Sequence, residues 1–327
     1  MDVVGFCSQT RLLIVAGKGG VGKTTVSAAL ARMAARAGLT TLIVEVEGKS
    51  GLATAYGRRE SLTYDEVVLA PGGGPDGAAD VRARTLTPDD ALLEYLGDHG
   101  MRRVSKRLAN SGALDVVSTA VPGIKDILVL GKVKQLERAN TADLIILDAP
   151  AAGHAFTFLM SARGLLDAVT VGPIRAQATD VIELLSDPRR CQVMLVTLPE
   201  ETPVNEVVET AYKLEDRVGV SLSPIVVNGM YPVLDGLDAD PAEAAAAAGL
   251  QLSGSELQSI AEAAEFRRIR QELQAEQVRR LAEALPLSQI RMPFLFTTDL
   301  RLAELDRLAD SLADGVRALP APATNRG

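Results

Sequence analysis

A doubly wound, mostly parallel α/β sheet is the fold class predicted for this 327-residue chain, and three observations point to it. Several short apolar runs lack the in-out alternation of a half-exposed strand, as strands covered on both faces do. Segments of helical texture lie between them, the order that builds successive βαβ units. The first run passes through a glycine-rich stretch into the first helical segment, a strand-to-helix junction of the kind that cradles ligands in open α/β sheets.

The first strand is expected over 12–16 (LLIVA), the first helix over 24–37 and the second strand over 42–46. Residues 71–79, PGGGPDGAA, read as a turn or hairpin tip, because glycine and proline at that density cannot continue a regular element. Alternation then stops. From 87 to 139 the chain offers helical patterns such as DALLEYL at 90–96 and the stretch 124–136, with no clear strand, so a helical subdomain inserted into one domain spanning 1–327 is expected. Strands resume at 144–147, 192–197, 224–227 and 289–292, with a helix over 205–214. A long charged helix is expected over 255–285, and Leu302, Leu305, Leu308, Leu312, Val316 and Leu319 mark one face of a last helix; both are expected to pack on the body. The tail from Pro320 is expected to fray.

Composition narrows the function. With 47% hydrophobic and 23% charged residues, the chain can bury a large core and is not a disordered tail. A net charge of -8 supplies no general field for phosphate backbones or anionic lipid, which argues against a nucleic-acid partner. No run approaches 18 apolar residues and the first residues lack a signal-peptide pattern, so a cytoplasmic protein without direct membrane insertion is expected. Cys7 and Cys191 lie far apart with no C-x-x-C spacing, so neither a disulfide framework nor a zinc site is indicated.

Residues 17–24, GKGGVGKT, match G-x-x-x-x-G-K-[ST] between an expected strand and an expected helix, the context a phosphate loop requires. The glycines Gly19, Gly20 and Gly22, together with Val21, let successive backbone N–H groups turn toward phosphates, and the helix opening near Thr24 and Thr25 adds its positive end. Lys23 can reach the β and γ phosphates of a nucleotide, and the Thr24 hydroxyl a Mg²⁺ ion. Asp148, after the run LIIL, is placed to hold that metal directly or through water, or else to cap the next helix. Glu45 and Glu47 sit at alternate positions and so share one side of their strand; one can orient the attacking water, or both form a solvated strand end.

The second lysine of the loop, Lys18, resembles that of the deviant Walker A loop in the signal-recognition, MinD and BioD class of dimeric P-loop NTPases. The stretches PGIKD at 122–126, DAPAAGH at 148–154 and VVN at 226–228 make the chain similar, more narrowly, to the arsenical-pump ATPase family, which includes the ATPases that target tail-anchored membrane proteins. That resemblance implies an ATPase acting as a dimeric switch, with Lys18 reaching the partner subunit's phosphates, Glu47 at the water-activating position, Gly153 at the γ phosphate and Asn228 reading adenine. It implies ATP and Mg²⁺ as cofactors and a homodimer, or a heterodimer with a related paralogue, since one chain supplies one phosphate loop. A protein client at the helical subdomain is a further implication. The chain departs from the family in three ways: Glu47 stands where Asp is usual, the C-x-x-C pair of the targeting members is absent together with the clustered cysteines of arsenite-activated members, and there is one ATPase half. Two alternatives stay open, a MinD- or Par-like positioning ATPase and an ATP-binding scaffold that does not hydrolyse. Against the first, Glu304, Asp306, Asp310 and Asp314 give the last helix the wrong sign for a membrane surface.

Overall fold

The computed structural model describes residues 1–46, 51–73, 77–98, 123–150, 152–170 and 172–320. Among these, β1 (Leu12–Ala16), β2 (Thr41–Val46), β3 (Val67–Ala70), β4 (Val81–Leu86), β5 (Leu144–Asp148), β6 (Cys191–Thr197), β7 (Ser221–Leu222), β8 (Ile225–Met230) and β9 (Gln289–Pro293) form one sheet. The order is β3-β4-β2-β5-β1-β6-β8-β9, with the short β7 beside β6, and every pairing is parallel except the β3–β4 hairpin. The fold is the mostly parallel α/β sheet expected, and all six expected strands are present.

Strict alternation assigns side chains to the two faces. Leu13, Val15, Ile43, Leu144 and Ile146 pack under α2 (Lys23–Arg36) and the C-terminal helix α11 (Leu302–Ala318), whose Leu305, Leu308, Leu312 and Val316 are buried. Leu12, Ile14, Leu42, Ile145 and Leu147 face the other layer, α5 (Ile124–Arg138), α6 (Ala152–Ala168), α7 (Pro173–Ser186) and α8 (Glu201–Lys213). Strands covered on both sides need apolar residues at every position, which is why their runs stood out in the sequence. Because Ile146 is wholly buried, Ile146→Ala is expected to cost about 2–5 kcal/mol, read as a lower urea midpoint at unchanged slope.

The hairpin strands β3 and β4 carry no continuous apolar run. In VRARTL the two arginines sit on the face away from α2, Arg82 paired to Glu66 at 2.8 Å and Arg84 lying 4.5 Å over the Tyr64 ring. Buried stems with paired heads let a charged sequence be a central strand, a tertiary arrangement that local patterning does not reveal. The turn expected over 71–79 joins these strands, and its residues 74–76 lie outside the described ones.

Within the expected helical segment, α4 (Pro88–Asp98) follows β4 after one residue, and α5 opens at Ile124; residues 99–122, Met101 among them, lie outside the described ones. Leu96, Ile124, Ile127, Leu128 and Leu130 are buried in the core, while Leu92 and Leu93 are half-buried.

The long helix, α10 (Gly254–Ala284), corrects an expectation. It starts with a Ser253–Glu256 capping box, yet only Gln274, Val278 and Leu281 are buried, and Ile260, Phe266, Ile269 and Leu273 are exposed. Only its last third buries apolar side chains, while Arg267 and Gln271 meet the body through Pro232, Tyr231 and Leu234. Leu302 of α11 is likewise exposed, so that helix's apolar stripe begins at Leu305. No helix among the described residues is long and apolar enough to cross a membrane.

Candidate functional site

The site lies at the C-terminal ends of the central strands, where the loop after β1 turns into α2. Gly17 passes so close to β6 that a Cβ there would stand well inside contact distance of the Val196 carbonyl oxygen. Gly22 caps α2 at φ 90, and a Cβ there would meet the side-chain amide of Asn228. That amide donates to the Val21 carbonyl at 2.9 Å, so β8 braces the loop from below. Gly17→Ala therefore requires a backbone shift in the loop or in β6. Overpacking of this kind costs about 1–3 kcal/mol, and the expected result is a melting temperature lowered by several degrees, checked by calorimetry.

Gly19 and Gly20 are exposed at the crest of the loop while Val21 is buried beneath it. Lys23 is buried, and its ammonium donates to the Lys18 carbonyl at 3.0 Å, folding the side chain back across the loop. Helix α2 adds positive character, since the first N–H groups of any helix lack intrahelical acceptors and point at the loop, and no acidic residue stands in its first turn. The concavity thus favours an anion that accepts several hydrogen bonds at once.

Asp148 ends β5 between β1 and β2, in register with Val15 on one side and Glu45 on the other. It is fully buried, and its Oδ2 accepts a hydrogen bond from the Thr24 hydroxyl at 2.7 Å. The structure thereby brings together the two residues that sequence reasoning assigned to a metal, along with half-buried Thr25 in the same helical turn. Gly153 is the second residue of α6, entered within four residues of Asp148. Glu47 lies outside the described residues, as do Gly48 and Lys49.

Lys18 is held within its own chain: Nζ and Glu206 Oε1 of α8 are 2.6 Å apart, both side chains partly exposed. Glu206 was not foreseen, and 188 positions separate it from Lys18, so no local pattern could have linked them. Next to Thr24 and Thr25, a cleft of about 940 Å³ opens between α3 (Gly51–Ala55) and the segment before α11, lined also by Arg59, Thr298 and Arg301. Such a volume suits a small organic ligand. The thiols take no part: burial pushes Cys7 up to about 12 and raises Cys191 as well, so neither is a thiolate near neutrality.

Residues 10–171 match the sequence profile of the anion-transporting ATPase family. The chain is 32% identical over 232 residues to ATPase BagA of Mycobacterium tuberculosis, covering 69% of this chain and 66% of that protein. It is 27% identical over 240 residues to an arsenical pump-driving ATPase of Escherichia coli, covering 67% of this chain and 39% of that protein. It is 28% identical over 153 residues to ATPase get3 of Schizosaccharomyces japonicus, covering 46% of this chain and 44% of that protein. In each case the match spans less than two thirds of the relative's own length.

Proposed function

We propose, from the match of residues 10–171 to the anion-transporting ATPase family, that the chain is a Mg²⁺-dependent ATPase working as a nucleotide-driven dimeric switch. The observation that carries the reading is the loop between β1 and α2, with buried Lys23 folded across it and Thr24 hydrogen-bonded to Asp148 at the end of a neighbouring strand. A hydroxyl and a carboxylate 2.7 Å apart form a hard oxygen donor set, which fits Mg²⁺. Bound there, the ion supplies charge neutralisation at the β and γ oxygens.

In this reading the N–H groups of Gly19 to Thr25 cradle the phosphates, and Lys23 leaves the Lys18 carbonyl for the β and γ oxygens. Thr24 and Asp148 hold the metal side, Gly153 approaches the γ phosphate from the start of α6, and Glu47 orients the attacking water. Asn228, which already contacts the loop at the Val21 carbonyl, reads the adenine. Lys18 exchanges Glu206 for the phosphates of a second subunit, either the same chain or a related paralogue. One salt bridge between partly exposed groups is a small obstacle to that exchange.

Coupling to the helical subdomain over 87–139, as the seat of a protein client, runs through the sheet. Val46 is in register with Leu86, and α4 starts two residues beyond Leu86, so a displacement after Val46 bears directly on the start of α4. Single-turnover hydrolysis of ATP tests the reading: phosphate release with Mg²⁺ and none in EDTA is expected. Tight ATP binding without any release would make the protein a scaffold.

A further inference from the structure

The strand that carries Asn228 is irregular at that point. Pairing of β8 with β9 slips between Val227 and Met230, and Gly229 takes a left-handed φ of 74. Such an irregularity re-aims a side chain beside a site. Here Asn228 meets the phosphate loop, its Nδ2 donating to the Val21 carbonyl at 2.9 Å. A carbonyl only accepts, so the amide nitrogen must face it and the amide oxygen is left for another partner. The irregular stretch is itself gripped from the helix layer. Buried Gln274 of α10 donates through Nε2 to the Gly229 carbonyl at 3.1 Å and accepts through Oε1 from the Tyr231 N–H at 2.8 Å. One planar amide thus ties the backbone on both sides of Met230, beside Asn228.

The effect on the loop comes through a single peptide unit. No peptide bond among the described residues is cis, so the Gly22 N–H points opposite to the Val21 carbonyl. Holding that carbonyl on β8 therefore aims the Gly22 N–H at the open side of the loop, directly ahead of Lys23 and Thr24. The contact leaves no room for a side chain at position 22, where a Cβ would stand against Asn228 Nδ2. The other foot of the loop is set separately, where Gly17 passes the Val196 carbonyl. We infer that Gln274 is a positioning residue for phosphate binding: through the β8 irregularity it sets Asn228 on the Val21 carbonyl, and this clamp presents the Gly22 N–H to the phosphates whatever base they carry. The inference rests on the phosphate-loop reading and adds to it a residue of α10.

The test uses inorganic tripolyphosphate, a triphosphate without a base, titrated calorimetrically with Mg²⁺ into the full chain well below its melting temperature, with ATP titrated alongside. Asn228→Ala is expected to weaken tripolyphosphate binding by about 10–100-fold, the loss of one hydrogen bond to a charged group. Gln274→Leu, of similar size, is expected to weaken it by less. In the Asn228→Ala background Gln274→Leu should add nothing, since a residue that acts through another loses its effect once that other is gone. Asn228→Ala that weakens ATP but not tripolyphosphate overturns the inference, because Asn228 would then touch only the base. Unchanged tripolyphosphate affinity in Gln274→Leu overturns it as well, and so does an equal loss in both backgrounds. Should Gln274→Leu not fold, Gln274→Glu, whose ionised carboxylate accepts from Tyr231 but cannot donate to Gly229, decides by the same comparison. Wild-type protein that binds neither ligand overturns the phosphate-loop reading and this inference together; wild-type protein that binds ATP but no tripolyphosphate overturns this inference only.

Discussion

Lys23→Ala is expected to lower ATP turnover by roughly 10²–10³-fold or more, the loss seen when a preorganised donor to developing charge is removed. The side chain is buried and its ammonium donates to the Lys18 carbonyl at 3.0 Å, so its truncation removes that neutral-acceptor hydrogen bond and some stem packing. That costs about 0.5–1.5 kcal/mol for the hydrogen bond, which a chain of this size tolerates. Activity should therefore fall far more than melting temperature. Turnover within twofold of wild type would remove Lys23 from the phosphate site.

Lys18→Ala is the second large effect, and it separates binding from assembly. In the single chain the Lys18 ammonium is paired with Glu206, and its carbonyl, which accepts from Lys23, is kept in the variant, so the side chain's loss should leave ATP binding to one chain nearly intact. What it should remove is ATP-driven dimerisation, since charge-assisted hydrogen bonds to phosphate across an interface are the strong ones. The expected result is ATP binding within a few-fold of wild type with no mass increase on adding ATP and Mg²⁺. Glu206→Gln is the control: it removes the intrachain partner but keeps the lysine, and it should still dimerise. A Lys18→Ala protein that dimerises and hydrolyses normally would end the cross-subunit role.

How much of this was legible in the sequence follows from what each feature depends on. Strands β1, β2, β5, β6, β8 and β9 were readable because burial on both faces writes itself as an apolar run. The phosphate loop was readable because its glycines and lysine are contiguous, and the Thr24–Asp148 contact because a strand-end acid is what such a loop requires. β4 was hidden, since Arg82 and Arg84 look like surface residues until Glu66 and Tyr64 are placed beside them. Glu206 was hidden for the same reason at longer range. α10 was expected as a long charged helix that packs on the body, but the residues it buries are Gln274, Val278 and Leu281, and Phe266, Ile269 and Leu273 are exposed on another face. Periodicity reports that a helix has an apolar stripe, and only the tertiary structure decides whether anything covers it. Glu45 was seen as one of two alternating acids, and its full burial beside Asp148 became visible only with the strand register.

The central claim is that ATP with Mg²⁺ both assembles the protein and is consumed by it. Light scattering on one sample, with and without ATP and Mg²⁺, paired with phosphate release from that sample, tests it most directly. The account predicts a mass near twice the 34.5 kDa of one chain in the presence of ATP and Mg²⁺, accompanied by steady phosphate release. A species that stays at the mass of one chain and releases no phosphate while binding ATP would contradict it.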